Sequence, residues 1–526
     1  MLPKASPSVL SVYDKQAMPN HDTDASWKYH NGTKHSPLSI RANPHFLDWE
    51  NKPLPFKIYP TLEVMRLSKD VKKTGVPALS ATTSTGAFSR TKATPDLEAI
   101  AQILFLSAGV TKSKKYSGDE FFFRAAACTG ALYEIELYTV CDNLPGLSAG
   151  VYHFGVAEFG LRQLRAGDFR QELVAATANE PTIAKAPAIV ICTGTYWRNA
   201  WKYRSRTYRH FGWDNGTILA NLLAASSALG FPAKVVLGFV DPQVNALLDL
   251  DTQREVAFSL VALGQPSQGP AAKGPVDRLG LTTVAYSKAE VDYPAMRVMH
   301  EASSLLSEDE VAAWRKNAQS KKPSLPSKEG LDLRPLSDKA IPRDPIEQVI
   351  LRRGSTRKFT PNPITFAQLS TLLDRTTRGV PADFLKPGTQ LNDLYLVVNN
   401  VEEMAPGAYF YDRDRKKLVL LKEGEFRDDA RDLALEQQLA GDASVNFFFL
   451  SDLQTVLARF GNRGYRAAQL EAGIVGGKLY LAAYALHLGA SGLTFYDDDV
   501  VNFFSPHAKG KSAIFLVAVG KSAGTK

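Results

Sequence analysis

The sequence predicts an α+β fold, mixed sheets flanked by helices, built twice into one chain of 526 residues. Three observations predict it. The first is an internal repeat at a spacing of about 257 residues. Gly150-Val-Tyr-His-Phe154 returns as Gly407-Ala-Tyr-Phe-Tyr411, Leu164-Arg-Ala-Gly-Asp-Phe-Arg170 as Leu421-Lys-Glu-Gly-Glu-Phe-Arg427, and Tyr203–Arg209 as Phe460–Arg466. The second is that both copies run through the same order of helical and β-branched segments. The third is length: a chain this long, 44% hydrophobic and 22% charged, has material for two cores.

Each copy opens with a helix, Asp96–Ser107 in the first and Thr365–Thr376 in the second. A strand follows (Glu136–Val140; Asp393–Val398), then a short meander (Gly150–Leu164; Gly407–Leu421) and a strand rich in β-branched and aromatic residues (Ala188–Thr193; Val445–Leu450). A small-residue helix (Asn221–Leu229; Gly477–Leu488) and an apolar strand ending in glycine (Ala257–Gly264; Ala513–Gly520) complete the unit. Strands separated by helices imply a sheet covered by helices. The expected organisation is an N-terminal arm over 1–95 with no counterpart in the second half, a first domain over 96–265, a linker over 266–340 and a second domain over 341–526. The linker reading rests on Gly269-Pro-Ala-Ala-Lys-Gly-Pro275 and Lys321-Lys-Pro-Ser-Leu-Pro-Ser327, with a helical patch at Glu308–Lys316 between them.

The net charge of +8 comes from 62 basic residues scattered among 54 acidic ones, with no basic block to grip a polyanion. Nucleic acid is therefore not an expected partner, whereas an anionic small molecule is. Three cysteines without a CxxC pair fit a reducing cytoplasm. The N-terminus lacks an apolar signal region, and the longest apolar stretches, such as Leu219–Leu229, are too short to span a bilayer. No metal site is expected: His30 and His35 lack acidic or cysteine partners in register. Neither HExxH nor GxGxxG occurs, and Gly510-Lys511-Ser512 lacks the first glycine of a Walker A loop, which is Ser505 here.

Arg353-Gly-Ser-Thr-Arg357 is the sharpest local signal. Two forked, permanently charged guanidiniums flanking a hydroxyl suit a phosphate; a solvated basic turn is the plain alternative. A second signal is Arg124-Ala-Ala-Ala-Cys-Thr-Gly-Ala-Leu-Tyr-Glu-Ile-Glu-Leu-Tyr138, which by itself also reads as a glycine-containing strand entry. A third is Lys202-Tyr203 in a basic, aromatic stretch, which suits either proton transfer or a helix face packing its stems on the core.

Together these segments resemble the nitroreductase superfamily. RRxSxRxF is similar to that family's FMN-phosphate loop, which places Arg353, Ser355 and Arg357 on phosphate-binding positions; Lys509 or Lys511 would supply the family's C-terminal basic residue. The Arg124–Tyr138 segment resembles the flavin-ring loop of the SagB/ThcOx branch and implies ring contacts at Ala127, Cys128, Thr129 and Gly130. Ala127 replaces the family's Pro, Cys128 its Ser and Glu134 its second Pro, so the hydroxyl expected near the ring falls to Thr129. Lys202-Tyr203 matches the branch's Lys-Tyr pair, and Gly492-Leu493-Thr-Phe495 its loop beside flavin N5. Tyr29–Ser36, with Leu47–Glu50 and Pro53–Phe56, is similar to the leader of long SagB-type chains.

The two halves are complementary. The second has the phosphate arginines but Arg459-Phe460 in place of the Lys-Tyr pair; the first has the pair and the ring loop but only the degenerate Ser89-Arg-Thr-Lys92 before its helix. Family sites lie at dimer interfaces, so the resemblance implies a pseudo-dimer with one composite FMN site; whether two chains also associate as a homodimer stays open. It implies oxidation of thiazoline or oxazoline rings in a small molecule or modified peptide, with O2 as acceptor and Lys202 or Tyr203 as base. Two other readings stand beside it: NAD(P)H-driven reduction of nitro compounds or quinones, and a non-catalytic scaffold that binds peptides.

Overall fold

The structure is a computed structural model that describes residues 19–83, 93–116, 119–265, 269–270, 276–318 and 329–524. Ser89–Lys92 and most of the two Pro/Gly/Ser/Lys stretches of the linker lie outside the described residues. In chain order the strands are β1 (Met65–Arg66), β2 (Val110–Tyr116), β3 (Asp119–Arg124), β4 (Ile135–Cys141), β5 (Gly150–Gly155), β6 (Gly160–Ala166), β7 (Ala188–Thr195), β8 (Ala233–Val236) and β9 (Glu255–Leu263). The second half adds β10 (Leu331–Asp332), β11 (Asn392–Val398), β12 (Gly407–Asp412), β13 (Lys417–Glu423), β14 (Val445–Ser451), β15 (Gly489–Gly492) and β16 (Ser512–Gly520).

Two seven-stranded sheets result, ordered β1-β6-β5-β4-β7-β9-β8 and β10-β13-β12-β11-β14-β16-β15, while β2 and β3 form a separate hairpin. The second order is the first repeated strand for strand. Even the irregularities repeat: register shifts at Val151/Tyr152 and Cys192/Thr193 recur at Ala408/Tyr409 and Phe449/Leu450. The expected α+β fold is present. Pairing within the sheets is antiparallel throughout, and parallel geometry is confined to isolated bridges such as Val235↔Ala382.

Local chemistry sets the helix ends. Asp96 caps Leu97–Ala108 by accepting the Ala99 N–H at 2.8 Å, and Thr365 with Gln368 forms a capping box on Phe366–Thr376. Each sheet packs against a long, almost wholly buried helix, Thr207–Ala228 in the first unit and Arg463–Ala485 in the second. These two helices cross each other where both backbones are bare. A Cβ on Gly216 would lie 2.4 Å from the Gly473 carbonyl carbon, and one on Gly473 would lie 2.5 Å from the Gly212 oxygen. Gly216 and Gly473 are themselves 257 positions apart, so the crossing marks the pseudo-twofold axis.

A buried ion cluster flanks the crossing on each side. Asp497 of the second unit accepts Nη1 of Arg206 (3.0 Å) and of Arg209 (2.6 Å) from the first. In the mirror position Asp241 accepts Nη1 of Arg463 (2.6 Å) and of Arg466 (2.7 Å). Burial works against Asp497, but the two guanidiniums outweigh it and hold the carboxyl well below its usual range.

Sequence alone gives the N-terminal arm no counterpart, and the structure supplies one. His35 closes the Asp497 cluster through its backbone (N–H to Oδ2, 2.8 Å; O from Asp497 N, 3.1 Å), and Leu305 does the same for Asp241 (2.9 and 3.0 Å). The Thr33 and Ser303 hydroxyl oxygens accept Nε–H of the corresponding guanidiniums, Arg209 and Arg466. The segment 266–340 therefore carries more than a connector: besides the expected helix Glu308–Lys316 it contributes Pro294–Ala302 and the edge strand β10, as the arm contributes Asp24–Gly32 and β1. No helix among the described residues is long and apolar enough to cross a membrane.

Candidate functional site

The loop Arg353–Arg357 follows the short helix Ile346–Arg352 and lies on the end of β15, where Thr356 N–H donates to Ala490 O at 2.9 Å. Gly489 is required there, since a Cβ would lie 2.2 Å from Thr356 Oγ1. Arg353 is buried and reaches across the interface. Its Nε and Nη2 donate at 2.9 Å to the carbonyls of Ala125 and Arg124, the start of the first unit's ring loop. Two neutral acceptors leave its charge uncompensated by any carboxylate among the described residues, which suits a site for an anion. Ser355 Oγ lies 3.4 Å from the Tyr480 hydroxyl, and that hydroxyl also holds Gly492 N–H. Arg357 is exposed and has no hydrogen-bond or ion-pair partner among the described residues.

Across from this loop stands the first unit's contribution. Ala127, Cys128 and Thr129 are half-buried and Gly130 is exposed, its φ of 64° permitting a turn that L side chains resist. The Tyr203 hydroxyl rests against that turn, 2.8 Å from where a Gly130 Cβ would sit. Lys202 stands at the rim with Nζ 5.4 Å from the Tyr203 ring centroid. Partial burial, and then the positive charge of Arg357, lower the Lys202 ammonium below its ordinary range. Burial, reinforced by Asp214, Cys128 and Glu134, raises Tyr203 far above its own. Arg357 thus acts on both members of the Lys-Tyr pair from the other half of the chain. Arg353, Ser355 and Arg357 of one half thus stand beside the loop Ala127–Gly130 and the Lys202-Tyr203 pair of the other.

Three expectations change. Thr129 does not offer its hydroxyl outward; the O–H donates inward to Asp214 at 2.9 Å, beside its own N–H. Lys509 and Lys511 lie at the wrong end of β16. The phosphate loop packs at the Gly520 end, where Thr360 N–H donates to Lys521 O, whereas Lys511 sits before Ser512, about 30 Å away along the strand, and is paired with Asp393 at 2.6 Å. Lys521 is the basic residue at the loop. The Tyr480 hydroxyl links Gly492 to Ser355, but the amides of Gly492 and Leu493 already donate to Tyr480 and Leu516, leaving the bare Cα face of Gly492 for any close approach.

The pseudo-equivalent place on the opposite side is filled. Phe460 stands where Tyr203 stands, and Trp314 packs on it at 5.4 Å while donating its indole N–H to Phe460 O at 3.0 Å. Asp383 accepts the N–H groups of both Leu237 and Gly238 at 2.9 Å, the counterparts of Leu493 and Thr494.

Residues 350–521 match the Nitroreductase family model. A Methanocaldococcus jannaschii protein described as a nitroreductase is 26% identical over 164 residues, 30% of this chain and 81% of that protein. The trifolitoxin-processing protein TfxB of Rhizobium leguminosarum bv. trifolii is 30% identical over 169 residues, 31% of this chain and less than half (45%) of TfxB. The crystal structure of an Anabaena variabilis protein assigned as a nitroreductase superposes with a TM-score of 0.74 at 25% identity, over 95% of this chain and 99% of its own.

Proposed function

We propose that this chain, a member of the nitroreductase superfamily with that fold built in twice, is an FMN-dependent dehydrogenase or oxidase of azoline-type rings in a peptide-derived substrate. The observation that carries the reading is the apposition of Arg353–Arg357 from one half with Ala127–Gly130 and Lys202-Tyr203 from the other. When bound, FMN supplies a two-electron acceptor. The residues present fit it: a buried guanidinium and an exposed one, neither paired with a carboxylate among the described residues, stand with the Ser355 hydroxyl at one end, where the Lys521 backbone also meets Thr360, and a glycine turn with a tyrosine stands at the other.

In this reading Arg357, Ser355 and Lys521 hold the phosphate, while Arg353 ties the phosphate loop to the ring loop. Oxidising an azoline to an azole removes a hydride equivalent from ring carbon and a proton from a neighbouring atom. Lys202, whose ammonium is destabilised, takes that proton. Tyr203, whose phenolate is strongly disfavoured, remains a hydrogen-bond donor that orients the ring. The likeness to TfxB supports a peptide-derived substrate over a free nitro compound. The test is anaerobic mixing of the purified holoprotein with a thiazoline-bearing peptide. Bleaching of the flavin band, slowed about 10²–10⁴-fold by Lys202→Ala, is the expected result. Rapid bleaching by NAD(P)H with none by the peptide would instead support the reductase reading.

A further inference from the structure

Beneath the ring loop lies a cluster with no assigned role. Asp214, from the long helix of the first unit, and Glu134, from the end of the ring loop, are 4% and 0% exposed. An oxygen of each lies within 4.8 Å of the other, and Cys128 Sγ stands between them, 3.3 Å from Asp214 Oδ2 and 3.5 Å from Glu134 Oε2. Asp214 is well served with donors: Thr129 N–H reaches both its oxygens (2.9 and 3.0 Å), the Thr129 hydroxyl reaches Oδ1 and the Cys128 thiol Oδ2. Glu134 is served less well: Oε2 accepts from Asn199 Nδ2 at 3.3 Å and from the Cys128 thiol at 3.5 Å, and its buried Oε1 has no donor among the described residues. No cation pairs with either carboxyl among the described residues. Two buried carboxyls this close, without a counter-ion, cannot both ionise near neutrality.

We propose that Asp214 and Glu134 hold one proton between them, and that this acid pair is a positioning element that fixes the loop Ala127–Gly130 and keeps Tyr203 a proton-bearing hydroxyl. The second half of the proposal rests on the FMN-site reading above; the first does not. Asp214 gathers the loop through Thr129 and so sets Gly130 against the Tyr203 hydroxyl. The pair's single charge, with Cys128 beside it, faces Tyr203 and opposes phenolate formation. The opposite influence comes from Arg357 and from Lys202 over the ring; His210, whose ring lies 4.7 Å from that of Tyr203, is held neutral by burial. A shared proton keeps this charge at one: if either member is neutralised by mutation, the other ionises in its place.

The test uses the full chain as purified. Infrared difference spectra at neutral pH, parent minus Asp214→Asn and parent minus Glu134→Gln, isolate the pair from other protonated carboxyls such as Glu471. The proposal expects a protonated-carboxyl band in the parent that both single variants lose. The same proteins are then titrated in alkali, with Tyr203→Phe counterparts subtracted to isolate the Tyr203 phenolate. The single variants keep one negative charge and leave Tyr203 where it was, while the double variant lets it ionise at least tenfold more readily. Absence of the band, with Tyr203 shifting stepwise in each single variant, would mean that both carboxyls are ionised and overturn the shared proton. A metal ion bound at one per chain and lost in both variants would overturn it too. A band with no change at Tyr203 in the double variant would leave the proton and defeat the positioning role. None of these readouts depends on turnover, so failure of the azoline reading is distinguishable.

Discussion

Replacing Asp497 by alanine removes the carboxylate from between two buried guanidiniums. Arg206, Arg209 and His35 N–H all donate to it, and Arg206 already leaves Nε and Nη2 without hydrogen-bond partners among the described residues. Breaking a buried pair by deleting one partner costs about 3–5 kcal/mol, because the orphaned charge keeps its desolvation penalty. Against a typical domain stability of about 5–15 kcal/mol that is a large fraction. Asp497→Asn, which keeps an acceptor oxygen, should lose less, and Asp241→Ala should reproduce the loss at the mirror cluster. The pH dependence has a definite sign. The folded carboxyl titrates below its unfolded value of about 3.9, so the contribution is whole above about pH 4 and is lost as pH falls through the folded value. Urea unfolding, followed by circular dichroism and by tryptophan fluorescence, measures both effects. A loss under about 1 kcal/mol for Asp497→Ala, or an acid transition unmoved by the substitution, would refute the reasoning.

Two further outcomes are expected. Gly216→Ala should destabilise by about 1–3 kcal/mol and Gly216→Val by more, since the added carbon meets the Gly473 backbone and not a side chain that can turn away; a neutral Gly216→Val in a urea series would contradict the crossing described. Burial raises Glu471 to about 7, above its unfolded value of about 4.3. Its ionisation should therefore weaken the fold, by up to roughly 3–4 kcal/mol, as pH rises from about 4.3 through 7. Glu471→Gln should flatten that decline between about pH 5 and pH 8, and equal slopes in parent and variant would remove the claim.

What the sequence disclosed were features carried by neighbouring residues. The β-branched strands, the helices opening at Asp96 and Thr365, the repeat and the ring-loop motif are all local, and each half declared which parts of the site it lacked. What it hid depends on direction and on distant meetings. Lys511 and Lys521 bracket one strand, and only the pairing of Gly489 with Gly520 shows which end faces the phosphate loop. Asp214 and Glu134 are eighty positions apart and meet because the long helix passes under the loop. The arm escaped the repeat because its match is sparse, His30-x-x-Thr33 against His300-x-x-Ser303, and its offset is 270, not 257. That pair of motifs was the available signal. Thr129 was expected at the ring because it follows the replaced serine in the resembled motif; the buried Asp214 claims its hydroxyl instead.

In the proposed reading one composite flavin site serves the chain, and Trp314 and Asp383 fill its pseudo-equivalent place. Its most direct test is the chromophore itself: the visible spectrum of the purified chain, then heat release and quantitation of the bound flavin. The account predicts close to one FMN per chain, with retention weakened by Arg357→Ala. Two FMN per chain would contradict the closed second site, and a colourless chain that FMN cannot reconstitute would contradict the flavin site altogether.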